Sequence, residues 1–204
     1  MRRRPLALGA ALLAAASACS TGHHPPAAAP PAAATATSTA TTAGAPDPYA
    51  VPPTITPAYV DKVFAALNHV DGEASRELLI HHQLTPRFRA LVRAIYNDPL
   101  YSVELGIASE SLGGAIPRLR LPLGDVQTTV VRIVASSPRC VFVETTSDFA
   151  AVLVDPGPPA RSEYFRLSPT QASANPNALN PTPWSMSFNA SYRTPTSIPN
   201  QCAA

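Results

Sequence analysis

Three ionisable side chains stand close together at His69, Asp71 and Glu73. A histidine beside carboxylates has the makeup of a general base, with its imidazole titrating near neutrality. His69 and Asp71 are therefore the candidate catalytic residues. A structural reading competes and is favoured: Asp71-Gly72-Glu73 has the look of a polar helix end, and His69 falls off the apolar stripe formed by Val63, Leu67 and Val70. No catalytic residue is assigned on sequence grounds.

His81 and His82 are neighbours, and adjacent side chains on a helix point about 100° apart, too far to share one metal ion. No third ligand follows at a useful spacing, and His23-His24 stand in a tract without structure of its own. No metal and no cofactor are implied. The chain also lacks G-x-S-x-G, a phosphate-binding glycine loop and H-E-x-x-H. Asn189-Ala190-Ser191 matches a glycosylation sequon. Trp184, the one tryptophan, suits core packing at the head of a strand better than a partner surface.

These residues need elements to hold them. Thr56-Pro57 starts a helix, with Val60, Val63, Phe64, Leu67 and Val70 at helical spacing. Gly72 ends or interrupts it, and Ala74, Leu78 and Leu79 continue as a second piece. Thr85-Pro86 repeats the start signal, and Asn97-Asp98-Pro99 stops that helix. A third helical segment covers Leu100–Leu112, with Leu100, Val103 and Ile107 on one side and Gly113-Gly114 at its end. From Val126 the pattern changes to strands: Val126–Ala135, Cys140–Val154 with a break near Ser147-Asp148, Ser162–Leu167 and Trp184–Tyr192. Short turns join the first three, which makes that part of the sheet antiparallel.

Before these elements the chain is of another kind. Arg2-Arg3-Arg4, the apolar run Leu6–Ala15 and the small residues Ala16-Ser17-Ala18 are the three parts of a secretory signal over 1–18. The apolar run is shorter than the roughly 20 residues that span a bilayer. From Ser20 to about Pro53 the composition is almost entirely Ala, Pro, Thr, Ser and Gly, with Asp47 the only Asp, Glu, Lys or Arg. Such a tract buries too little apolar surface to offset its ordering entropy and reads as a disordered tether with a maximal reach of roughly 100 Å. The expected organisation is signal 1–18, anchor and tether 19–53, and one domain over 54–204. A domain of about 150 residues buries about 70% of its unfolded surface, enough for a core.

Ala16-Ser17-Ala18-Cys19 resembles the lipobox of bacterial lipoproteins, although the position three before the cysteine is Ala16 and not the usual Leu. The resemblance implies an acylated Cys19, export, and attachment to the outer face of the cell membrane; simple secretion is the alternative. Assigning Cys19 to lipid leaves Cys140 and Cys202 as a pair, which an exported compartment allows to oxidise; two free buried thiols are the alternative. Closing that loop of about 60 residues would contribute roughly 4 kcal/mol. Loss of the signal takes Arg2, Arg3 and Arg4 from 15 basic residues and leaves 12 against 13 acidic ones. The mature chain has no basic tract, so a nucleic-acid partner is not expected.

Helices first and an antiparallel meander second is an α+β order. That order resembles the nuclear transport factor 2-like fold, N-terminal helices on a curved sheet of about four strands, as in actinobacterial-type lipoproteins. The resemblance implies a cone between helices and sheet, with Phe64, Leu67, Phe88, Val92, Val131 and Phe142 as its apolar lining. The expected function is a non-catalytic binding or scaffolding role at the cell envelope, with other envelope proteins as partners. An apolar small-molecule or lipid carrier is one alternative. A small ketosteroid-isomerase-like enzyme is the other.

Overall fold

A computed structural model describes residues 47–112, 119–156, 162–170, 179–192 and 198–203. The expected signal, Cys19, His23-His24 and most of the tether lie outside the described residues. So does Gly113-Gly114.

Three helices come first: α1 (Pro57–His81), α2 (Pro86–Ile95) and α3 (Leu100–Ser111). Four strands follow: β1 (Gln127–Ser137), β2 (Cys140–Asp148), β3 (Ser162–Pro169) and β4 (Trp184–Tyr192). The strands form one antiparallel sheet in the order β1-β2-β3-β4, so the architecture is α+β as expected.

Local chemistry sets the helix ends. The Thr56 hydroxyl accepts from the Tyr59 N–H at 3.3 Å, and Pro57 occupies the first turn. Thr85 caps α2 in the same way, accepting from the Phe88 N–H at 3.0 Å. α1 closes on His82, whose left-handed backbone (φ 51°) lets its N–H reach the Leu78 carbonyl.

Gly72 does not end α1, which runs unbroken through it. Its missing side chain serves packing: a Cβ there would collide with the carboxylate of Asp125. On α3 the inward residues are Leu100, Glu104 and Ala108, while Val103 is about half exposed. The α3 face is thus rotated from the one that Leu100, Val103 and Ile107 suggested. β2 ends at Asp148, and Leu153 instead forms an isolated bridge with Leu119.

The core lies between the helices and one face of the sheet. Val63, Phe64 and Leu67 of α1 meet Leu91 and Ile95 of α2 over the sheet residues, with Phe64 edge-on to Phe165 at 5.3 Å between ring centroids. Trp184 is buried there, and its indole N–H donates to the Tyr59 hydroxyl at 2.9 Å. Bulges shift the register of β1 after Val130 and after Ile133, and that of β3/β4 after Arg166. Such insertions bend a strand and increase its twist. Contacts with the domain also begin before residue 54: the Tyr59 hydroxyl donates to the Tyr49 carbonyl and Lys62 Nζ to the Pro48 carbonyl, each at 3.0 Å.

The far face of the sheet carries a second cluster. Phe142 is fully buried there, 6.0 Å from the Tyr164 ring and 6.2 Å from the Phe188 ring. Cys140, two residues back on the same face, is disulfide-bonded to Cys202. Arg166, the β3 partner of Phe142, donates to the Gln201 carbonyl at 3.2 Å. Residues 198–203 therefore cross the sheet beside Phe142. The Cys140 sulfur also lies 4.0 Å from the Gln201 carbonyl, and the other hydrogen bonds described for this segment are internal. One hydrogen bond contributes about 1 kcal/mol, whereas ordering each backbone residue costs about 1–2 kcal/mol. The Cys140–Cys202 bond adds a covalent tie to these contacts.

Candidate functional site

Four of the elements around the interior each contribute one polar side chain to a common region. Asp71 comes from the middle of α1 and Tyr96 from the residue that ends α2. Glu104 belongs to the inward row of α3, and Asn189 to β4. Tyr96 is fixed by pairing with β4: it bridges Met186, and the next N–H, that of Asn97, donates to the Met186 carbonyl at 2.8 Å. The Tyr96 hydroxyl hydrogen-bonds to Asp71, and the Asn189 side chain to Glu104. Asn189 sits across from Phe165, whose ring packs on Phe64, so the helix-facing surface turns from apolar to polar at this point.

Asp71 is crowded by protein on every side yet keeps some solvent-accessible surface. Burial pushes the Asp71 carboxyl up to about 7, and the negative charge of Asp125 adds to the shift against the opposing Tyr96 hydrogen bond. Glu104 is also pushed up to about 7, first by burial and then by the charge of Asp71, against the opposing Asn189 hydrogen bond. Burial raises the Tyr96 hydroxyl well above its ordinary value, and the two carboxylates raise it further. A charge on Asp71 thus opposes one on Glu104. Among the described residues neither has a cationic partner. A carboxyl with this titration range can donate or accept a hydrogen bond, and can give or take a proton.

A second polar row runs from α1 across the sheet. Asn68 Nδ2 donates to the Val126 carbonyl and to the Thr128 hydroxyl, both at 3.0 Å. The Thr128 hydroxyl lies 3.3 Å from that of Ser147, and the Ser147 hydroxyl bonds to the Glu163 carboxylate. Because the single proton of Ser147 goes to Glu163, Ser147 must accept from Thr128. The row therefore runs one way, from amide to carboxylate.

His69 and Asp71 are not brought together. Two residues apart on a helix, they point about 200° away from each other. His69 is exposed and takes part in a network outside the interior, with Nδ1 2.9 Å from Asp125 and Nε2 3.8 Å from Glu73. Arg76 reaches the same Asp125 at 3.4 Å. His81 Nε2 lies 3.6 Å from Glu77. Among the described residues no three His, Cys, Asp or Glu side chains are placed to hold a metal ion, and no helix is long and apolar enough to cross a membrane.

Of the expected apolar lining, Phe64, Leu67, Phe88 and Val92 are buried in the core between helices and sheet. Val131 and Phe142 are not part of it. Val131 falls at the first β1 bulge and is 56% exposed, while Phe142 faces the other side of the sheet. Register shifts of this kind exchange inside for outside along a strand. Sequence reasoning did not bring Tyr96, Glu104 and Asn189 to a site. One available hint was Glu104 itself, an acidic residue spaced by four from both Leu100 and Ala108. The sequon at Asn189 places its side chain against Glu104, not at an outer surface. Searches against protein-family models, curated proteins and solved structures return no match for this chain.

Proposed function

We propose that this chain is an exported protein, lipid-anchored to the cell envelope through Cys19, whose domain binds a small amphiphilic molecule between its helices and sheet. The proposed architecture is nuclear transport factor 2-like. The observation that carries the reading is the convergence of Asp71, Tyr96, Glu104 and Asn189 from four elements at the border of an apolar wall. Ligand sites pair apolar surface with a few polar groups that fix orientation. The ligand would lay its apolar body along the wall and present a neutral hydrogen-bonding head to the two carboxyls. This refines carriage of a wholly apolar ligand, because such a molecule would leave these polar groups unpaired.

Native mass spectrometry of the full chain extracted from its host membrane tests the reading. A co-purifying small molecule that is lost in a folded Asp71→Asn, Glu104→Gln double variant is the expected result. Empty parent protein, or equal loading of the folded variant, would overturn it. Cleavage mapping and lipid analysis of Cys19 test the anchor separately.

A second reading is favoured by the carboxyl of Asp71 standing near 7 beside the Tyr96 hydroxyl. That pair suits proton transfer at a carbon next to a carbonyl, with Asp71 as base and Tyr96 as donor to the developing oxyanion, as in a ketosteroid-isomerase-like enzyme. Turnover of such a substrate that Asp71→Asn leaves unchanged would remove this reading.

A further inference from the structure

We propose that the Cys140–Cys202 disulfide is a redox-released strap that controls exposure of the far face of the sheet. The inference is independent of the interior site. Both cysteines are partly exposed and the bond joins β2 to a segment near the C-terminus, so an attacking thiolate can reach it. Cys202 and Gln201 contact the strand that carries Phe142, through Cys140 of β2, and the neighbouring strand at the partner of Phe142, through Arg166 of β3. Phe142 beneath is fully buried although the helices pack on the opposite face.

The reaction is an exchange with a dithiol, either a reducing protein of the exported compartment or a small dithiol. A thiolate of the donor attacks one sulfur, the Cys140–Cys202 bond breaks, and a mixed disulfide forms. The second donor thiol resolves it. The dithiol is oxidised by two electrons, and Cys140 and Cys202 are left as thiols. Segment 198–203 then keeps two described polar contacts with the sheet, the Arg166 hydrogen bond and the 4.0 Å contact of the Cys140 sulfur with the Gln201 carbonyl, and leaves the surface. Phe142, Tyr164 and Phe188 become the exposed apolar cluster.

The test compares the oxidised full chain with the same protein after dithiothreitol reduction and thiol alkylation. The Cys202→Ser variant runs beside it. Hydroxyl-radical footprinting reads Phe142 and Tyr164, and amide exchange reads the backbone. The expected result is a several-fold rise in labelling of Phe142 with faster exchange at Cys202 and Ala203, while α1 and the central strands stay protected. Unchanged labelling of Phe142 would overturn the proposal. So would loss of protection throughout α1 and the sheet, which would make the bond a staple of the whole fold. Reduction of already folded protein keeps the test decisive if Cys202→Ser does not fold.

Discussion

Asp125 fills the space that the missing side chain of Gly72 leaves on α1. His69 and Arg76 hold its carboxylate there, at 2.9 and 3.4 Å. Gly72 thus lets a loop carboxylate press against a helix flank, and through Asp125 it also adds to the electrostatic pressure on Asp71.

Gly72→Ala should destabilise the domain. Alanine favours a helix over glycine by about 1 kcal/mol, but its Cβ would displace Asp125 from His69 and Arg76, and overpacking costs about 1–3 kcal/mol. A net loss on the order of 1 kcal/mol is expected in urea denaturation. Asp125→Ala in the same chain should recover the helical benefit. A stabilising Gly72→Ala single variant would show that the contact yields freely.

Asp71 and Glu104 give stability a definite pH dependence. Their folded pKa values near 7 lie above the ordinary carboxyl values of about 4. Between these limits the folded chain holds protons that the unfolded chain has released, so their contribution falls as pH rises from about 4 to 7. Asp71→Asn removes one of the coupled charges. Its stability relative to the parent should rise from pH 4 to pH 8 by on the order of 2 kcal/mol. A difference flat across that range, measured by chemical denaturation, would contradict the burial of this carboxyl.

Tyr59→Phe should cost about 1–3 kcal/mol, because it leaves the buried indole N–H of Trp184 without its acceptor. Trp184 is the only tryptophan, so its emission reports on this site alone. A shift to shorter wavelength should accompany the loss. Unchanged emission and stability would show that the indole finds another acceptor.

Asn180 anchors the entry to β4. Its Nδ2 donates to the Ala94 carbonyl at 2.8 Å and the Trp184 carbonyl at 2.7 Å, while its Oδ1 accepts from the Thr182 N–H and hydroxyl. Asn180→Asp would set a carboxylate against two carbonyl oxygens. The loss should reach about 3 kcal/mol at neutral pH and shrink in acid, where a protonated carboxyl can donate to one of them. Equal melting temperatures for parent and variant at pH 7 would refute this.

Element order and most boundaries were legible because caps and periodicity are local. Thr56 and Thr85 mark two helix starts, and the interval Trp184–Tyr192 of β4 was read directly from the sequence. Gly72 misled because glycine's cost in a helix is visible in sequence, whereas the Asp125 contact that requires it comes from 53 positions further on. Val131 and Phe142 were misplaced because a bulge and a choice of sheet face are settled by pairing. Asp71 was visible as a candidate, but paired with the wrong neighbour: proximity in sequence suggested His69, and the helical turn placed Tyr96 and Glu104 beside it instead.

The row from Asn68 to Glu163 is pinned at both ends. The Val126 carbonyl prevents the Asn68 amide from turning its oxygen inward, so α1 feeds a proton into the row. At the far end the Glu163 carboxylate takes the Ser147 proton. The two hydroxyls between them therefore share one orientation, and helix and sheet are joined there by a directed relay instead of by independent contacts.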